Sequence, residues 1–399
     1  MTGGGLSSWQ SSLGVYHQGQ KEEYPLRLTC EKQDLASGIN LALRAISGRA
    51  LLPILSGILF EAEEGLCLRA TDLEMGLQVN VPAEVEVKGK VVLPGKIVGE
   101  MVRALPGGRV TIQMGPEDSQ ALLTCGDLSL KVNTYEADQF PPMGSNLEEA
   151  VSYNLAADFL PQIAKYVAVA AAREDVRGVF SGLLWEDPGD GRVTVVGSDT
   201  YRMAWMHSTL EREPGRAVRA VIPSRAVLDA ARVEVEEGTA VRLSLTESHA
   251  AFAFSEVLIM CRLFGLGYPD YHAVIPVSFG TRITCSGHQL AEAVERAGLL
   301  AKEEESKVRA NLVNLDITGH TIRVSSQASQ LGTFSDTVPA RIEGQPGVIT
   351  FNARYLLEGL KAHEGGDIDI EVARSFEGVI IKSVERPDVC YLGVPVRLE

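Results

Sequence analysis

The feature that most limits what this chain can fold into is self-similarity at a fixed step. The segment VVLPGKIVGEMVRAL around Pro94 recurs as RAVIPSRAVLDAARV around Pro223 and as VITFNARYLLEGLKA around Asn352; both steps, 223−94 and 352−223, equal 129 residues. A second set keeps nearly the same spacing: ILFEAEEGLCLRATDLEMGL (Asp72), LLWEDPGDGRVTVVGSDTYRMAW (Asp199) and, more diverged, LDITGHTIRVSSQASQLGTF (Gln327). Each unit closes alike, in QFPPM (Pro141), GYPDY (Pro269) and GVPVRL (Pro395). Elements repeating in one order at one step imply tandem domains. The expected division is 25–146, 147–278 and 279–399, joined by linkers at Gly144–Ser152 and Val277–Ile283, where a closing proline segment precedes a new strand. Residues 1–24 fall outside the repeat, lack apolar periodicity and are expected to form a flexible tail.

Inside each unit, apolar and polar residues alternate between EEG, DPGDG or TGH turns, the pattern of hairpin strands. Two helical stretches interrupt them: DLASGINLALRAI, DFLPQIAKYVAVAAA or HQLAEAVERAGLLA, and then the segment opened by Pro94, Ser224 or Asn352. The expected fold class is therefore α+β, with three tandem copies of a two-helix, antiparallel-sheet domain.

Aligned on the repeat, the second helices place Lys96, Arg225 and Arg354 in one column and Arg103, Arg232 and Lys361 in another, seven residues on. Seven residues is close to two turns, so both cations are expected on one helix face. The later column could simply complement helix dipoles. The earlier one lies in the first turn, where a cation is disfavoured, and so points to an external anion. Lys165 and Arg296 match in the first helices, whereas Leu41 takes that place in unit one.

A formal net charge of −15 argues against a surface that grips DNA by neutralising phosphates. A ring escapes that objection. Two chains closed head to tail would supply twelve helices, which at about 10 Å each would leave a hole of roughly 28 Å. Acidic groups outside such a ring would be screened over a Debye length of about 8 Å, while inner cations would face the duplex.

LLPILSGILFEAEEGLCLRATDLEMGL, VRGVFSGLLWE, GSDTYRMAW, YPDYHAVIP and the terminal YLGVPVRL together resemble the bacterial DNA polymerase III beta subunit family, the sliding clamps, from about residue 25 onward. The resemblance implies a homodimeric, head-to-tail ring of pseudo-sixfold symmetry that encircles double-stranded DNA without sequence preference and tethers polymerases, without catalysis or a cofactor. It further implies loading by a clamp loader, and polymerase and repair partners that carry short clamp-binding motifs. Their groove would be formed by Phe180, Ser198, Thr200, Tyr201, Arg202, Met203, Pro269, Val274, Leu392, Val394, Pro395, Val396 and Arg397. Valines at 394 and 396 stand where many members carry the more adaptable methionine. DNA-facing residues would be Arg49 and Arg173, more weakly Arg309, with the helix cations as a diffuse field. The dimer contact would set Met101, Leu130 and Val132 against Leu299 and Leu300 of a second copy.

Core packing alone would also account for Phe180 and Met203. The apolar terminus LGVPVRL favours a groove, since an end of that composition normally docks somewhere. An enzyme is the rival class, through Ser198, Asp199 and Tyr201 or Tyr268–Tyr271 with His272, but no nucleophile elbow, phosphate loop or metalloprotease motif accompanies them. A peptide-binding scaffold that never meets DNA is a second rival, which the first-turn cations oppose. Six scattered cysteines without paired spacing make a metal site unexpected, and neither a leader nor an apolar span is evident, so a cytoplasmic location is expected with no membrane partner.

Overall fold

The computed structural model describes residues 26–46, 52–115, 119–143, 147, 149–173, 175–212, 215–236, 238–265, 267–302, 311–363, 365–374 and 378–397. The N-terminal stretch, Arg49, Arg309 and much of the first linker lie outside the described residues. Six α-helices are described: α1 (Lys32–Ala42), α2 (Gly95–Ala104), α3 (Phe159–Tyr166), α4 (Ser224–Ala230), α5 (Gly287–Ala301) and α6 (Ala353–Ala362). Helices α2, α4 and α6 begin 129 residues apart, each directly after a strand. Their caps are Pro94, Pro223 and Asn352, and Asn352 accepts from the Arg354 and Tyr355 amides. The long first helix expected in unit two stops at Tyr166 and gives way to a 3-10 turn at Ala168–Ala170.

The chain forms two compact units that do not follow the repeat boundaries. The first is built from residues up to Ala156 together with Val233–Arg262, and the second from Ala157–Arg232 together with Leu263 onward. The middle repeat is thus shared between them. The first unit holds a five-stranded sheet in the order 84–87, 26–31, 109–114, 120–125, 128–133, and an eight-stranded sheet in the order 151–155, 241–245, 249–253, 257–262, 75–81, 66–71, 57–62, 89–94. The second unit holds a twelve-stranded sheet: 218–223, 182–187, 192–198, 202–209, 389–393, 379–383, 367–373, 279–286, 332–344, 321–328, 312–318, 347–352. The strand at 279–286 begins inside the linker expected at 277–283, because Phe279 and Thr281 already pair with Ala373 and Val372.

Helix packing follows from small residues at four-residue spacing. In α1, Leu35, Gly38, Ile39 and Ala42 are buried; in α2, Gly95, Val98, Gly99 and Val102 are. This is one apolar stripe per helix. A Cβ on Gly99 would lie 2.9 Å from Leu43 and 3.1 Å from Ile39, so glycine there sets how closely the two helices approach. Gly359 plays the same part in α6, where a Cβ would meet the Tyr391 ring at 2.6 Å. The six cysteines are free thiols, four of them buried. Among the described residues no helix is long and apolar enough to cross a membrane.

Candidate peptide groove and basic helix faces

In the second unit, the tight turn Ser198–Met203 is fixed by its own side chains. Ser198 Oγ donates to the Arg202 carbonyl (2.8 Å) and accepts from the Thr200 amide (3.2 Å), while Asp199 Oδ1 accepts from the Tyr201 and Arg202 amides (3.0 and 3.2 Å). Thr200 takes φ 77°, a left-handed conformation that such a turn imposes. The strand leaving the turn pairs with the chain's last strand, Arg202 opposite Gly393 and Met203 opposite Leu392. The C-terminal segment is then tied down twice, by Val394 N–H to the Tyr201 carbonyl (3.2 Å) and Val396 N–H to the Thr350 carbonyl (2.8 Å).

The residues expected in the groove divide by burial. Ser198, Arg202, Met203 and Leu392 are buried, and Met203 and Leu392 join a cluster with Val179, Leu184, Trp205, Tyr268 and Tyr271 against which Phe180 packs. Thr200, Tyr201, Pro269, Val274, Val394 and Arg397 are exposed, and Pro395 and Val396 half-buried. Phe180 meets Tyr268 edge-on at 5.8 Å. The first group lies beneath the surface and the second on it.

Residues that sequence reasoning missed complete the surface. Tyr201, 51% exposed, stacks on Tyr355 of α6 with centroids 6.0 Å apart and planes 18° apart. Phe351, Asn352, Tyr355, Leu356 and Tyr391 line a small pocket with Tyr201 and Val394. Beneath it Arg202, 2% exposed, bonds Asp199 (3.2 Å) and Glu358 and lies 4.6 Å from the Tyr355 ring. Burial opposes its charge, yet the hydrogen bonds and charge of its partners, the Glu358 carboxylate among them, more than offset this and hold the guanidinium above its usual pKa. Burial, aided by Glu358 and Asp199, likewise keeps the Tyr391 phenol neutral, free to donate to the Tyr355 carbonyl (2.7 Å). The apolar character of the YLLEGL helix is legible in sequence; its placement against SDTYR, more than 150 residues away, is not.

Lys96, Arg103, Arg173, Arg225, Arg232, Arg354 and Lys361 are all exposed. Several are partly neutralised. Asp229 lies 4.0 Å from Arg225 and 3.3 Å from Arg232, Glu358 lies 3.5 Å from Arg354 and 2.7 Å from Arg173, and Glu295 lies 2.8 Å from Lys361. One expectation fails. Arg232 falls beyond the end of α4, whose seven residues cannot carry two cations two turns apart. Arg296, matched to Lys165 in the first helices, is paired with Asp336 at 2.6 Å.

The residues expected at a dimer contact divide as well. Leu128, Leu130 and Val132 alternate onto one face of the strand that ends the five-stranded sheet; Val132 is buried, Leu130 half-buried and Leu128, overlooked in the sequence, 52% exposed. Met101 on α2 and Leu299 on α5 are exposed, with Leu300 half-buried beside the latter.

Three family models match end to end: DNA polymerase III beta subunit, N-terminal domain over residues 26–144, central domain over 154–270 and C-terminal domain over 272–397. The chain belongs to the DNA polymerase III beta subunit family. Among its relatives, the beta sliding clamp of Synechocystis is 28% identical over 394 residues, covering 94% of this chain and all of that one; the beta sliding clamp of Bacillus subtilis is 25% identical, covering 93% and 100%. The solved sliding clamp of Bacillus subtilis superposes with TM-score 0.88 at 24% identity over 94% of this chain and 100% of that one. A Pseudomonas aeruginosa sliding clamp bound to griselimycin gives 0.85 at 23% over the same shares. The beta subunit is the processivity factor of its polymerase, a non-catalytic sliding clamp, and the enzyme reading of Ser198, Asp199 and His272 is set aside.

Proposed function

We propose that two copies of this chain close head to tail into a ring that holds duplex DNA by topology, and that each copy offers the Tyr201/Val394 groove to motif peptides of polymerases, repair proteins and the clamp loader. The observation that carries the ring is a vacant position in the repeat. Strand 257–262 of the middle repeat pairs with 75–81 of the first, and 389–393 of the third pairs with 202–209 of the second. The equivalent strand of the first repeat, 128–133, ends its sheet, and the part of strand 332–344 before Pro339 has a neighbour on one side only among the described strands. Opposing Ile259 to Leu77 and Tyr391 to Ala204 sets the register. Carried over to two copies, the same pairing would set strand 128–133 beside the open part of strand 332–344, near Leu299 and Leu300 on the helix packed over that strand. The seam is heterologous, so closure depends on the angle between repeats.

Inside such a ring the exposed helix cations act as a weak field rather than a grip, consistent with their shared carboxylates. The groove suits an extended peptide, whose apolar anchors lose water against Val274, Val394 and Tyr201 while the buried floor holds the rim in place. A cytoplasmic location follows from this role. The test is retention: loaded onto nicked circular DNA, the protein stays through gel filtration and leaves when the circle is linearised. Equal loss from circular and linear DNA overturns the ring.

A further inference from the structure

The turn that frames the groove exists twice. In the first unit, Thr71 Oγ1 donates to the Met75 carbonyl (2.9 Å) and accepts from the Leu73 amide (3.0 Å), while Asp72 Oδ1 accepts from the Glu74 and Met75 amides (3.1 and 2.8 Å). Each bond has its counterpart at Ser198–Arg202, and Leu73 takes φ 79° where Thr200 takes 77°. The strand beyond pairs with 257–262 as 202–209 pairs with 389–393. Leucine in this conformation is strained and, at 57% exposed, gains nothing from burial in the free chain. The two sites differ in what stands over the turn. Where the second has Met203, the first has Gly76, and the thioether methyl of Met143 lies 2.6 Å from where a Cβ on that glycine would be. Met143 reaches there from the Pro141–Pro142 segment, lining a small pocket with Leu73, Met75 and Met260. Met75, buried, stands where the second unit has Arg202, and the one guanidinium lining the pocket among the described residues is that of Arg262, which is exposed.

We propose that this is a second peptide site, specific for an aliphatic anchor, and that Met143 occupies the anchor position as an internal ligand. The inference rests on the groove reading for its ligand class and goes beyond it in number: one open site and one closed site per chain. Methionine suits the role, being apolar, unbranched and easily withdrawn.

The test is calorimetric titration of the full chain with a short extended peptide bearing a leucine anchor, with Met75 and Met260 ε-methyl NMR as the local readout. Wild type takes one peptide per chain without moving those methyls. Met143→Ala takes two and moves them, and adding Leu73→Asp returns the count to one. Met143→Gln, similar in size but polar, behaves as Met143→Ala should the latter melt early. In Met143→Ala/Val394→Asp the peptide binds the first unit alone, so this arm reads the second site even if the groove assignment is wrong; in that case wild type binds nothing. A wild type that already binds two, or opened variants whose Met75 and Met260 methyls stay unmoved, overturns the proposal.

Discussion

Strands 128–133 and 257–262 hold the same place in successive repeats, yet only one is closed. The second lies between 249–253 and 75–81 and is buried along most of its length; the first has a neighbour on one side only among the described strands and exposes four of its six residues. Their sequences, LSLKVN and VLIMCR, anticipate this. A strand buried on both faces reads as a continuous apolar run, and one with a solvated face alternates. An open edge with three aliphatic residues on one face is a template for another chain. The difference teaches that this fold completes itself by repetition, and that among the described strands the last one of the first repeat keeps one side open, the side that the proposed ring would close.

The largest effect should separate the two strands directly. Ile259→Asp puts a charge into a core without a partner and should leave the first unit unfolded by circular dichroism. Leu130→Asp should leave it folded while weakening dimerisation at least about 100-fold, or about 3 kcal/mol, in sedimentation at nanomolar concentration. An intact Leu130→Asp dimer would erase the distinction.

Acid should next discriminate between the units. His363 in the second unit is buried among Ala362, Tyr166 and the cations Lys165 and Arg386; burial first, then those charges, push its pKa down to about 4. The unfolded chain takes up this proton near pH 6.5 and the folded chain does not. Stability is therefore complete above about pH 6.5 and declines as pH falls toward 4, by at most about 3 kcal/mol. Hydrogen exchange should show strand 389–393 losing protection before 257–262 does, and His363→Phe should narrow that gap.

A smaller effect is expected at the groove. Val394→Asp should weaken a leucine-anchored peptide at least about tenfold, the value of one buried aliphatic contact of about 1.5 to 3 kcal/mol, with the dimer unchanged. Normal affinity in calorimetry would remove Val394 from the rim. Smallest in stability are the helix cations: Lys96→Glu, Arg225→Glu and Arg354→Glu should each change it by about 0.5 kcal/mol. Together they should shorten DNA extension products in a primed-template assay, and products of unchanged length would refute an inward field.

Local chemistry was legible in the sequence and long-range pairing was not. Pro94, Ser224 and Asn352 mark helix starts because residues at a helix N-terminus act on their own first turn. The even apolar stripe of α2 is likewise visible. That strands 241–262 leave the rest of the middle repeat to complete the first unit's sheet is invisible to periodicity, because any antiparallel edge of matching pattern would serve. The Arg202–Glu358 pair escaped for the same reason, since its partners lie 156 residues apart. Arg232 was misplaced because equal spacing was read as equal helix length, whereas α4 ends two residues before it.

The shared middle repeat also sets an order in time during synthesis. Strand 75–81 emerges with one side open and gains its partner only when 257–262 has been made. At about 5 to 20 residues per second that interval lasts roughly ten to thirty-five seconds. For that period strand 75–81 is an edge that its own chain will later close, whereas 128–133 keeps one side open among the described strands even in the finished unit. A nascent chain that stalled before Arg262 would leave 75–81 without the strand that covers it, so the segment from Val233 to Arg262 is what completes the first unit's sheet.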